Sequence, residues 1–568
     1  MKKVLVSIFI LLLPLVCGAQ LVVREQNLPN PDNEPAPVHP VPHPRQLKCQ
    51  ETEYNFFFGF FKFRSFLKIF ADFRWQKQIV YIFLLNFLQF ACIIEIDYKV
   101  KEHSMTQADL YYKKMTETPI ARLIIALGIP TTISMLITGI YNLADTYFVG
   151  ALGESQQAAT GILFTLQSII QAIAFMLGHG SGTFVSKALA DKDTKSATRY
   201  VSTAFFTGIG VGLLLSVSGL LCLNPLLRLL GSTETILPYA RDYGFWVLIA
   251  CPIMIGSLIL NNNLRYEGKA FYAMIGLTTG GILNIFGDYL LIRVCNLGVF
   301  GAGMATAISQ LISFCILLFL YLRMAQSTVS IRAISRDARE YLGICKVGFP
   351  SLLRQGLNSI SGGLLNNLTK PFGDAAIAAM SVVNRFSSLV MFVGLGIGQG
   401  FQPVASFNYQ AKKYRRVKKG LIFTTTVGFC MLAVLASLGF IFAEPIVYLF
   451  QEHPEVRIIG VPALRYATIG ILFLSLSVPV NMLYQSIRKA GIASFLSLLR
   501  SGAIFIPVLL LLHHLLGLTG IQLAQPTADV ITGLASIPFM LYFLKTTPND
   551  EDAVCETPCE FEEEKETA

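Results

Sequence analysis

Apolar stretches long enough to cross a bilayer recur from Leu123 to Leu544, and they constrain this chain more than any other feature. A helix rises ~1.5 Å per residue, so ~20 apolar residues span the hydrocarbon core. Of the 568 residues, 53% are hydrophobic and 14% charged. Soluble domains run at about 25% charged, so this chain has too little charge to cover a water-facing surface. Many of the 45 Gly and 25 Pro fall inside apolar runs. Membrane helices tolerate them where neighbouring groups re-satisfy the freed backbone. The sequence therefore predicts an all-α, polytopic membrane protein. Its net charge of +10 is no signal for nucleic acid, because the basic residues sit in short loops between the spans. The 11 Cys are scattered without a CxxC or a metal-like His/Cys spacing, and read mostly as reduced core residues.

Residues 1–104 form an atypical extension. Met1–Ala19 has a basic start, an apolar stretch and a small-residue end, as secretory signals do. Asn27–Arg45 is Pro-rich and reads as an extended linker. Phe56–Trp75 is crowded with Phe, Lys and Arg, and Ile79–Ile96 has the length of one extra span. Two readings stay open: a cleaved signal followed by an accessory helix, or an extension preceding a natural start at Met105.

Twelve spans are expected, at approximately 120–150, 157–182, 198–223, 236–262, 271–293, 299–323, 343–369, 376–404, 420–442, 458–485, 492–515 and 519–545. One set of alternate loops is rich in Lys and Arg, including Lys187, Arg265, Lys269, Arg332 and Lys412–Lys419, and the other set is poor in them. The positive-inside rule then puts the rich loops, and both ends of the twelve-helix unit, in the cytoplasm. The acidic tail after Lys545 reads as disordered and cytoplasmic.

The chain repeats itself. LGIP ending at Pro130 matches VGFP ending at Pro350, 220 residues on, and the same shift pairs Gly153 with Gly373 and Pro225 with Pro445. Farther along, the register is expected to drift, pairing LRYEGKA (264–270) with IRKAGIA (487–493). Repeats of six helices share one orientation, giving two parallel lobes of the kind found in rocking secondary transporters. The expected division is a lobe at 105–323, a linker at 324–342, a lobe at 343–545 and a tail at 546–568.

Charged groups inside spans are expensive, about 3 kcal/mol for an Asp at a helix centre. Asp145 lies in the outer part of the first span and Asp288 in the fifth. Asn284 stands four residues before Asp288, on the same helix face. With the Thr306 hydroxyl these are hard oxygen donors that suit Na⁺, and a dry carboxyl pair equally suits a proton. Pro130 removes a backbone hydrogen bond and predicts a kink or hinge in the first span. GHGSG (178–182) lacks the strand and Lys-Ser/Thr of a phosphate loop and reads as close packing.

The motifs LGIP, YNLADTYFVGALG, GHGSG, GGILNIFGDYLLI, VGFPSLL and IRKAG make the chain resemble the multidrug and toxic compound extrusion (MATE) transporters, over Leu123–Leu544. The resemblance is to the DinF-like prokaryotic branch. It implies that Asp145, Asn284, Asp288 and Thr306 form a cation site, that Tyr243 lines the same pocket, and that helix one bends at Pro130. It departs from the branch with acidic ligands in helices seven and eight, where this chain has Arg354, Gln355, Asn358 and Arg385. These either line the substrate cavity and meet anionic groups, or serve the lobe interface. Asp529 is a lone acid of the last span, with a structural or a substrate-facing role.

The implied function is an antiporter of the bacterial inner membrane that exports lipophilic, cationic small molecules in exchange for H⁺ or Na⁺. Its expected partners are organic substrates and membrane lipids, with no cofactor, no nucleic acid and a monomeric state. A flippase for lipid-linked saccharides, favoured by a cationic cavity, is the close alternative. An integral membrane prenyl transferase needs clustered carboxylates for Mg²⁺, which these isolated acids do not supply; the expectation is that the chain is not an enzyme.

Overall fold

The computed structural model describes residues 107–450 and 453–548. The signal-like segment, the Pro-rich linker, the aromatic segment, the extra span and nearly all of the acidic tail lie outside the described residues. Within them the structure is helical, with no strand. Helix α1 (Gln107–Glu117) precedes α2 (Ile120–Gly150), α3 (Glu154–Ala190) and α4 (Thr194–Leu221). A short α5 (Leu223–Leu229) leads to α6 (Leu237–Tyr266), α7 (Ala270–Asp288, extended by a π turn to Val294) and α8 (Gly298–Met324). Beyond a linker come α9 (Ala338–Thr369), α10 (Asp374–Gln410), α11 (Tyr414–Ile441) and a short α12 (Ala443–Phe450). The chain continues with α13 (Pro454–Ile471), α14 (Leu474–Ser486), α15 (Ala490–Leu498), α16 (Phe505–Leu516) and α17 (Leu518–Thr546). A π turn, Leu499–Ala503, lies between α15 and α16.

Among the described residues ten helices are long and apolar enough to cross a membrane, and the pair α13/α14, bent by 45°, counts as an eleventh when taken as one span. The expected twelfth is α9. At 32 residues it is long enough, but Arg354, Gln355, Asn358, Asn366 and Asn367 leave it too polar to qualify on apolarity. Several expected ends move outward. α3 runs to Ala190 rather than 182, and α6 to Tyr266 rather than 262, which carries Arg265 off the expected loop into a helix end where it is 4% exposed.

The repeat is visible in the backbone. Gly153 and Gly373 have φ of 149° and 90°, and Lys192 and Lys412 share the left-handed region at 58° and 56°. Asn261 donates to the Ala273 carbonyl at 2.9 Å, and Asn481 donates to Ala493 at 2.7 Å. The left-handed turn residue after α6 is Gly268 (φ 70°), and after α14 it is Arg488 (φ 63°). The shift is therefore still 220 here, and the expected drift is corrected. Matching glycines suggested it, whereas the second repeat places a non-glycine in the strained position.

Small residues bring the two halves together at the end that carries the basic loops. A Cβ at Gly348 of α9 would lie 1.8 Å from the Met176 carbonyl oxygen, and one at Gly180 would lie 2.1 Å from that of Ile344. Ser406 donates to the Thr183 carbonyl at 3.2 Å, Gln410 to Asp191 at 3.1 Å, and Arg199 pairs with Glu340 at 2.8 Å. Helix α1 joins the same seam: Tyr111 donates to the Tyr266 carbonyl and meets Phe407 edge-on, while the Met115 carbonyl accepts from Asn408. Toward the other end, Gly356, Gly362 and Gly363 of α9 have open space where a Cβ would stand.

The turn after α6 also grips the linker. Glu267 is fully buried and accepts from Tyr321 Oη at 3.0 Å, Gln326 N at 2.5 Å, Ser327 N at 3.4 Å and Ser327 Oγ. Glu267→Ala strips the acceptor from these groups, at about 1–3 kcal/mol for each donor left buried and unpaired. A thermal melt in detergent should show a loss of several degrees; an unchanged melt would contradict this role.

Candidate cation site

Four helices of the first half deliver the site. Asp145 comes from α2, Tyr243 from α6, Asn284 and Asp288 from α7, and Thr306 from α8. Close backbone approach makes this convergence possible. A Cβ at Gly303 would stand 3.0 Å from the Tyr243 Cα, and one at Gly287 would stand 2.9 Å from the Ala305 Cβ. Tyr243 Oη donates to Asp145 Oδ2 at 2.9 Å and lies 3.2 Å from Thr306 Oγ1. Asn284 Nδ2 donates to Thr306 Oγ1 at 3.1 Å. The chain Asp145–Tyr243–Thr306–Asn284 is thus one hydrogen-bonded string, and Asp288 lies one turn beyond Asn284.

The unspent atoms define what the site accepts. Asp145 Oδ1, Asn284 Oδ1 and both oxygens of Asp288 are buried and accept no hydrogen bond among the described residues. Asp288 is 0% exposed. Buried polar atoms are nearly always partnered, so four such oxygens in one pocket call for a missing electropositive partner. Hard oxygens, three of them on carboxylates, fit Na⁺ or a proton. Among the described residues there is no cluster of three or more His, Cys, Asp and Glu of the kind that holds a transition metal.

The second half lacks this set. At the shift of 220, Asp145 corresponds to the buried Leu365 and Asp288 to Val508. α2 is continuous through Pro130, where Ser134 donates back to the Pro130 carbonyl at 3.0 Å. Arg354 reaches Asn481 Oδ1 at 3.4 Å. Gln355 and Arg385 are half-buried and Asn358 is exposed, and no described hydrogen bond joins them to Arg354 or to the acidic pocket. Asp529 is not a lone acid: it pairs with Arg500 at 3.0 Å, across two helices. The sequence reading missed Arg265, which draws on the side chains of Asn262, Gln399 and His179. The signal for it was the Asn261-Asn262-Asn263 run just before it, too polar for a span's lipid face.

Comparison with known proteins agrees with this architecture. The MatE family pattern matches residues 130–290 and 350–511, two stretches that begin 220 residues apart, at Pro130 and Pro350. The multidrug export protein MepA of Staphylococcus saprophyticus is 26% identical over 448 residues, covering 78% of this chain and 97% of its own. MepA of Staphylococcus aureus strain MSSA476 is 27% identical with the same coverage. An outward-facing multidrug resistance MATE transporter superposes with a TM-score of 0.72 at 22% identity, covering 78% of this chain and all of its own. A MATE structure in the bent conformation gives 0.70 with the same identity and coverage. The two matched stretches, each lying within one repeat of the helical bundle, place this chain in the MatE family of multi-pass membrane transporters.

Proposed function

We propose that the chain is a secondary antiporter that exports lipophilic, cationic organic molecules in exchange for H⁺ or Na⁺. The four unpartnered oxygens of Asp145, Asn284 and Asp288 carry this reading. An ion entering from outside occupies them, and its charge replaces the one a bound organic cation brings. An ion shifts the protein between two states only by its different affinity for them. The pocket supplies that difference, because it is far more favourable filled than empty. Bending of α2 near Pro130 narrows the pocket and expels the substrate. The residues before 324 and after 342 then act as two lobes joined by the linker. The loops Lys187–Lys195 and Lys412–Lys419 set the membrane orientation, with both ends of the helical unit in the cytoplasm of a bacterial inner membrane. Export by the MepA relatives supports the multidrug assignment.

The test is efflux of a fluorescent organic cation from proteoliposomes under an imposed pH gradient or Na⁺ gradient. One of the two gradients should drive export. Movement of the dye under neither gradient would overturn it.

A further inference from the structure

Away from the acidic pocket the bundle holds an excess of buried and half-buried positive charge. Arg265 on α6 is 4% exposed and is held by neutral acceptors. Arg354 on α9 reaches only the neutral Asn481 Oδ1. Arg500, set by the π turn between α15 and α16, pairs with Asp529, whose Oδ1 also accepts from Gln525 at 3.0 Å. Among the described residues these three guanidiniums share one carboxylate. A buried charge without a counter-charge is strongly unfavourable.

A cavity of about 20 Å³ opens between two of them, lined by Arg354, Arg500, Asn481, Ser477 and Ser497. That is room for one water-sized occupant. The lining is rich in donors. Ser477 Oγ is buried with no hydrogen-bond partner among the described residues, and Ser477 is 5% exposed. Ser497 Oγ accepts from Asn481 Nδ2 at 2.9 Å, which leaves its own proton free to donate. The Asn481 amide is otherwise spent on the Ala493 carbonyl and on Arg354.

We infer that Arg354, Arg500, Ser477 and Ser497 form a binding site for a single anionic group, the size of a halide or one end of a carboxylate. The site compensates the excess charge, and guanidinium plus hydroxyl donors match an anion's lone pairs. It stands on its own geometry. The further step, that the anion is a carboxylate of the transported molecule, rests on the exporter reading; a free halide is the other source.

The purified full-length chain in detergent tests it by thermal melting. Sodium formate or sodium chloride replaces sodium isethionate at constant ionic strength. The melting temperature should rise saturably with formate or chloride in the wild type. Arg354→Gln should lose that dependence, while the exposed loop variant Arg332→Gln keeps it. If Arg354→Gln fails to fold, Ser477→Ala should still fold and shift the half-saturating anion concentration upward about tenfold, the cost of one hydrogen bond to a charged group. No saturable rise with either anion, or the same rise in Arg354→Gln, would show a cavity for water only and overturn the site. A fluorescent zwitterion bearing a carboxylate, compared with its methyl ester, separates the sources. Competition with formate by the acid alone supports the substrate's carboxylate; equal competition by both, or none, removes that step and leaves a halide site. No gradient enters these melts, so their failure is distinct from failure of the efflux assay.

Discussion

Asp288→Asn is expected to bring gradient-driven export to background while the protein melts no lower than the wild type. Asp288 is fully buried and neither of its oxygens has a donor among the described residues. An ionised carboxylate there costs several kcal/mol unless an ion or proton joins it. The amide of Asn is nearly the same size and carries no charge, so the folded state loses a liability rather than a contact. What disappears is the difference between the filled and empty pocket, which is the only means by which the coupling ion biases the transport cycle. Asp145→Asn should behave alike in transport, with a small cost in stability because Tyr243 donates to Asp145 Oδ2. Parallel efflux and melting curves decide the matter. Export preserved in either variant would sink the assignment of that carboxylate.

The second large effect is steric. Gly348→Ala places a methyl group 1.8 Å from the Met176 carbonyl oxygen and 2.6 Å from its carbon, both backbone atoms that have no rotamer to escape into. The seam between α3 and α9 has to part. Overpacking of this kind costs about 1–3 kcal/mol, a shift of roughly 5- to 150-fold away from the sealed arrangement. Export should fall, and a cysteine at Asp191, beside the same seam, should react faster with a charged thiol reagent in a background freed of other cysteines. Gly356→Ala is the control: it lies on the same helix with open space around its Cβ position. Indistinguishable behaviour of the two variants would show that the methyl group is absorbed without parting the seam, and would contradict this prediction.

Most of the fold was legible because a membrane span announces itself by length and apolarity. α9 was legible for a different reason. Its composition argues against a span, yet the VGFP motif copies LGIP of the first repeat and so places a helix there. The acidic pocket was legible because Asp145 and Asp288 interrupt apolar runs that tolerate few charges. Arg265 was not, since a basic residue near a span's end reads as a loop anchor, and only the longer α6 buries it. Asp529 seemed alone because its partner Arg500 stands 29 residues away on another helix. The short α5 and α12 carry too few turns to show a period. The register of the turn after α14 was misread because sequence pairs glycine with glycine, whereas the backbone pairs Gly268 with Arg488.

Organic cation and coupling ion are proposed to exchange at Asp145 and Asp288. The most direct measurement is ion release from the purified, weakly buffered protein as a fluorescent organic cation is added, followed with a pH indicator and with ²²Na⁺. The wild type should release protons or Na⁺ as it binds the dye, and Asp145→Asn/Asp288→Asn should release neither. Saturable dye binding by the wild type with no ion released would contradict it.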